Sequence, residues 1–66
     1  MKPSIGHNLR MLSFQKNFTQ LQVAQAVGIS ENSLSRYEQG QRTPSEELLY
    51  KFAEFYEVPV SKIRVE

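Results

Sequence analysis

The stretch TQLQVAQAVGISENSLSRYEQG, Thr19 to Gly40, decides the fold. Thr19 is a helix N-cap residue, Gln22 stands three positions on to complete a capping box, and Phe18 and Val23 flank this start as a hydrophobic staple. Val23, Ala24 and Val27 give the segment an apolar side, and Gly28 offers the left-handed residue that ends it. Only Gly28 and Ile29 precede Ser30, a second N-cap, with Glu31 in the first turn beside the positive end of the helix dipole. Ile29 and Leu34 form another staple, Tyr37 follows Leu34 by one turn, and Gly40 closes the segment. The remaining face carries Asn32, Ser33, Ser35, Arg36 and Gln39, all hydrogen-bonding groups with no large apolar side chain among them.

Working outward, Ser4 caps a first helix in which Ile5, Leu9 and Leu12 recur at helical spacing, and which is expected to run to about Gln15. Asn17 is suited to the left-handed residue that ends it. Downstream, Gln41 to Ser45 is a loop, and two registers can start the next helix: Thr43 with Pro44 at the first position and Glu46 closing a box, or Ser45. Leu48, Leu49, Phe52, Ala53, Phe55 and Tyr56 make the strongest apolar stripe of the chain, with Glu47 and Lys51 paired outside it. Pro59 is expected to break this helix near Val58, and Val60 to Arg64 to form one further short turn. The alternation from Lys62 to Glu66 also fits a terminal strand.

A chain of 66 residues suits one domain, spanning 1–66, whose core is small. It contains no cysteine, which excludes disulfides and thiolate zinc sites and leaves close helix packing or a partner subunit as the remaining support. The net charge is +1, but it is unevenly spread: residues 1–45 carry five cations against two anions, and residues 46–66 three against five. The basic part suits a polyanion and the acidic end solvent or a partner. With no membrane-length apolar run and no apolar stretch behind the start, the chain reads as cytoplasmic. His7 is the sole histidine and reads as a solvated helix residue, so no metal or other cofactor is expected. Without a cysteine nucleophile, a second histidine or a Gly-rich phosphate loop, no catalytic constellation assembles, and the chain is not expected to be an enzyme.

Two short helices joined by a tight glycine turn, the second with a polar outer face, meet the requirements of a DNA-reading helix-turn-helix. The residues Ile5-Gly6, Leu9-Arg10, Leu12, Phe18-Thr19-Gln20, Val23-Ala24, Val27-Gly28-Ile29-Ser30, Ser33 through Gly40 and Pro44-Ser45 resemble the phage repressor and Cro (XRE-like) family, over essentially the whole chain. The resemblance implies an all-α, compact five-helix, lambda-repressor-like domain with helices 2 and 3 as the helix-turn-helix. It also implies double-stranded DNA as partner and a role as transcriptional regulator, in the repressor sense. Asn32, Ser33, Ser35 and Arg36 match the positions that set base preference. Gln20 matches a glutamine that meets the DNA backbone and often also touches a base or the recognition helix, Gly40, Gln41 and Arg42 match the backbone-meeting loop, and Arg10, Thr19 and Gln39 are further candidates for backbone contact. In one departure, family members often carry an arginine at the position of Ser13, paired with the glutamate matching Glu38. Glu38 then needs another partner, with Arg10, Arg42 and the Ser13 hydroxyl as candidates.

Arg36 can take guanine O6 and N7 together, and Asn32 adenine N6 and N7. Ser33 and Ser35 are short, so phosphate or water-mediated contacts fit them as well as direct readout. Glu31 reads as helix-start stabilisation, and Tyr37, Phe52, Phe55 and Tyr56 as core rather than base-stacking platforms. The resemblance, with the apolar end Val58, Val60, Ile63 and Val65, suggests a twofold homodimer on a pseudo-palindromic operator; the same four residues equally suit the closing of a monomer core. A protein-interaction module on the same fold, such as an antitoxin or an accessory part of a larger regulator, is the alternative function.

Overall fold

The computed structural model describes residues 4–64. Along them run α1 (Ile5–Gln15), α2 (Gln20–Val27), α3 (Glu31–Glu38), α4 (Glu46–Tyr56) and a 3-10 turn (Val60–Lys62). Each α-helix begins on a hydroxyl cap: Ser4, Thr19, Ser30 and Ser45 accept from the backbone N–H three residues on. At Thr19 the box is reciprocal, because its own N–H donates to Gln22 Oε1 at 2.8 Å. Ser45, not Thr43, takes the cap of α4, and Pro44 is buried in the loop ahead of it.

All four helices also end alike. Asn17, Gly28, Gly40 and Glu57 have positive φ, and the N–H of the next residue reaches back to a carbonyl of the last turn: Phe18 to Ser13, Ile29 to Ala24, Gln41 to Arg36 and Val58 to Ala53. This closure satisfies carbonyls that a helix end would otherwise leave free.

The expected fifth helix is not an α-helix. α4 stops at Tyr56, two residues before the expected end, because Glu57 turns left-handed (φ 58°). Pro59, which has no N–H to continue a ladder, precedes three residues held by Lys62 N–H to Pro59 O and Ile63 N–H to Val60 O, both at 2.9 Å. Among the described residues the domain has four α-helices and this single 3-10 turn. Lys62 to Arg64 are not a strand, and Val65 and Glu66 lie outside the described residues.

The apolar faces meet in one cluster: Leu9 from α1, Val23, Ala24 and Val27 from α2, Leu34 and Tyr37 from α3, Leu49, Phe52, Ala53 and Tyr56 from α4, and Ile63. Phe18 packs its ring 4.6 Å from that of Phe55, so the α1–α2 connection rests on α4. α1 and α3 approach so closely at Gly6 that a β-carbon there would overlap the carbonyl oxygens of Tyr37 and Glu38. The C-terminal turn is held at both sides: Asn8 Nδ2 donates to Ile63 O at 2.8 Å, and Arg64 pairs with Glu46 at 2.5 Å.

Candidate nucleic-acid interface

Helix α3 buries Leu34 and Tyr37, and its opposite face therefore points outward. At 3.6 residues per turn that outward stripe is Asn32, Ser35, Arg36 and Gln39, with Ser33 round its side. Asn32, Arg36 and Gln39 are exposed, and Ser33 and Ser35 half-buried. The sequence-predicted base-reading residues thus share one helix surface but fall into two classes. Among the described residues the Asn32 and Arg36 side chains make no hydrogen bond, leaving the amide and the guanidinium fork open to a ligand. Ser33 is engaged in the helix start, where its hydroxyl accepts from Ser30 Oγ at 3.0 Å. Ser35 Oγ accepts from Gln39 Nε2 at 2.8 Å, and Gln39 Oε1 in turn accepts from Gln41 Nε2 at 3.0 Å. Gln39 is thereby fastened across the end of α3 and Gln41 held against it.

The residues expected at a backbone border this face. Gly40 takes φ 79°, and the N–H groups of Gln41 and Arg42 both turn back to Arg36 O. The Arg42 guanidinium lies over the Tyr37 ring, 5.4 Å from its centroid, a cation–π contact that holds the charge beside the loop. Thr19 is taken up by the cap of α2, and Gln20 is the first residue of that helix. Gln20, Arg10, Ser35, Glu38 and Gln39 line one polar cleft where α1, α2 and α3 converge.

Glu38 finds a partner other than the three expected. Gln20 Nε2 donates to Glu38 Oε1 at 2.8 Å. Arg10 lines the same cleft without bonding the carboxylate, Arg42 is turned onto Tyr37, and Ser13 shares a buried hydrogen bond with the Tyr56 hydroxyl. Burial chiefly, with the Glu38 carboxylate as a further cause, raises the Tyr56 pKa above the ordinary tyrosine value, against the lowering effect of the Ser13 bond. The resemblance brings Gln20 to the recognition helix but does not name Glu38 as its partner, and the Ser13–Tyr56 pair is not readable from the sequence. The one signal for them was Ser13 itself, whose uncharged hydroxyl takes up the Tyr56 hydroxyl and leaves the Glu38 carboxylate to find another partner.

Of the apolar C-terminal residues, Ile63 is fully enclosed in the domain's own core, while Val58 and Val60 are half-buried against it. Val65 lies outside the described residues. No helix among the described residues is long and apolar enough to cross a membrane.

This geometry has close counterparts. A family model described as helix-turn-helix matches residues 8–63. The clp gene regulator ClgR of Corynebacterium glutamicum superposes with a TM-score of 0.84 at 29% identity, covering 89% of this chain and 77% of that one. The restriction-modification controller protein C.AhdI of Aeromonas hydrophila gives a TM-score of 0.85 at 25% identity, with 89% of each chain covered. In sequence, the antitoxin PezA of Streptococcus pneumoniae is 51% identical over 45 residues, which are 68% of this chain and 28% of PezA. The cryptic phage CTXphi transcriptional repressor RstR of Vibrio cholerae is 33% identical over 55 residues, 83% of this chain and 50% of RstR. The chain thus spans about a quarter of the one relative and half of the other.

Proposed function

The chain belongs to the helix-turn-helix family, and from that premise we propose that it binds double-stranded DNA in a sequence-dependent way and regulates transcription as a repressor. The observation that carries this reading is the outward stripe of α3, where Asn32 and Arg36 stand exposed with polar groups unengaged among the described residues, bordered by Gln20 at the start of α2. In this reading α3 lies in the major groove, Arg36 and Asn32 meet base edges, and Ser33 and Ser35 act through water or phosphate. Arg10, Thr19, Gln20, Gln39, Gly40, Gln41 and Arg42 meet the backbone. The chemistry is recognition alone, without catalysis or a cofactor, and takes place in the cytoplasm. Because one eight-residue recognition helix reads few base pairs, the operator is a pseudo-palindrome bound by two copies. The half-buried Val58 and Val60 supply the apolar part of the contact between copies.

Selection of retained duplexes from random genomic fragments tests the reading. An enriched palindrome is expected, with affinity falling about a thousandfold or more between roughly 50 and 200 mM salt if two copies neutralise six or more phosphates. A flat salt response sinks the backbone model. The 51% identity to an antitoxin over 45 residues favours a second reading, in which the domain serves mainly to bind a partner protein. No enriched sequence, together with co-purification of a stoichiometric protein partner, would establish that reading instead.

A further inference from the structure

We infer that Glu38 is a positioning residue for Gln20 at the DNA backbone, an assignment that rests on the DNA-binding reading above. Glu38 is the last residue of α3 and is half-buried, yet among the described residues no cation pairs with it; the one ion pair there is Arg64 with Glu46. Its carboxylate is satisfied by the Gln20 amide at 2.8 Å, a hydrogen bond strengthened by the charge of the acceptor.

The charge also sets the direction of the amide. A carboxylate only accepts, so the NH2 end of Gln20 must face Glu38 and its carbonyl end must face away. One amide N–H is spent on Glu38 and the second is left for a ligand, on a residue that opens α2, whose first-turn backbone N–H groups attract a phosphate. Fixing this side chain in advance removes ordering cost from the binding step. Arg10, in the same cleft, offsets the repulsion that a carboxylate would otherwise exert on a phosphate. Ser13 makes the arrangement available: its hydroxyl is engaged with Tyr56 and brings no charge to compete for Glu38.

The test is a double-mutant cycle on the full chain, with a duplex retained in the selection above as probe and thermal unfolding run on every variant. Glu38→Ala and Gln20→Ala are each expected to weaken binding about tenfold, and the double variant to bind no more weakly than Gln20→Ala alone. Glu38→Gln, whose side chain can accept the same bond but can also donate and carries no charge, fixes the direction of the Gln20 amide only in part and is expected to bind between wild type and Glu38→Ala; a structural role would not give this graded pattern. Glu38→Thr, too short to reach Gln20, carries the same test where Glu38→Ala does not fold. Wild-type affinity in the shortened variants, or an equal loss on the Gln20→Ala background, overturns the assignment alone. A wild-type chain that retains no duplex overturns it together with the DNA-binding reading.

Discussion

The hydroxyls of Ser13 and Tyr56 meet at 2.5 Å inside the core and join α1 to α4. Ser13 is 8% exposed and Tyr56 1%, so neither has water as an alternative partner. Tyr56→Phe leaves the Ser13 hydroxyl buried and unmatched, and is expected to cost about 1–2 kcal/mol in urea unfolding at neutral pH. The deficit should narrow in alkali. The folded chain holds the Tyr56 proton more tightly than the unfolded chain, chiefly through burial. Its contribution is therefore intact below the unfolded value of about 10 and is lost as pH rises through the higher folded value. Since phenylalanine has no proton to lose, the two unfolding midpoints should converge above about pH 10; parallel curves would refute the linkage.

Gly6→Ala should be among the most damaging single-methyl changes in the chain. The added carbon meets backbone carbonyls of Tyr37 and Glu38, which cannot swing aside as a flexible side chain would. α1 must then lift away from α3, at a cost of about 1–3 kcal/mol for overpacking and more if the core opens. Thermal unfolding measures it, and a melting point like that of the parent would show that the two helices can separate freely.

What the sequence disclosed followed the range of its signals. Caps at Ser4, Thr19 and Ser30 and stops at Asn17, Gly28 and Gly40 act over three to five residues, and each was legible. The bonds of Glu38 to Gln20 and Tyr56 to Ser13 span 18 and 43 residues, and no local pattern encodes them. The outward stripe of α3 was legible as a polar face, but its division into open groups (Asn32, Arg36) and tied ones (Ser33, Ser35) depends on side-chain geometry. The end of α4 was misplaced because Glu57 adopts a conformation expected of glycine or asparagine.

That misplaced end yields its own test. A left-handed residue with a β-carbon carries strain of about 1–2 kcal/mol, which glycine escapes. Glu57→Gly is expected to raise stability, by about 0.5–1 kcal/mol once the greater freedom of glycine in the unfolded chain is subtracted. A higher urea midpoint at constant slope is the expected outcome, and a lower midpoint would mean that the Glu57 side chain contributes something its exposed position does not suggest.

Adjacent residues of the C-terminal turn should behave very differently. Ile63 is fully buried against the core, so Ile63→Ala is expected to cost about 2–5 kcal/mol through lost burial and an incompletely collapsed cavity. The Arg64–Glu46 pair is solvent-exposed, with side chains 35% and 63% accessible, and Arg64→Ala should cost little beside that loss. Equal losses from the two would indicate that the ion pair, not the apolar contact, docks the turn.

Arg36 and Asn32 give the sharpest functional expectation, because they alone among the four expected base readers keep unengaged polar groups among the described residues. Arg36→Ala is expected to relax preference at one base pair per half-site and to cost about 1–3 kcal/mol on the preferred duplex, with little loss on others. Ser35→Ala should act differently. It releases Gln39 from its 2.8 Å bond and therefore weakens binding across sequences without erasing a preference. Quantitative binding to a library of single-base operator variants separates the two patterns. A uniform loss for Arg36→Ala would move that side chain from base to phosphate, and loss of a single base preference for Ser35→Ala would make its hydroxyl a direct reader despite its bond to Gln39.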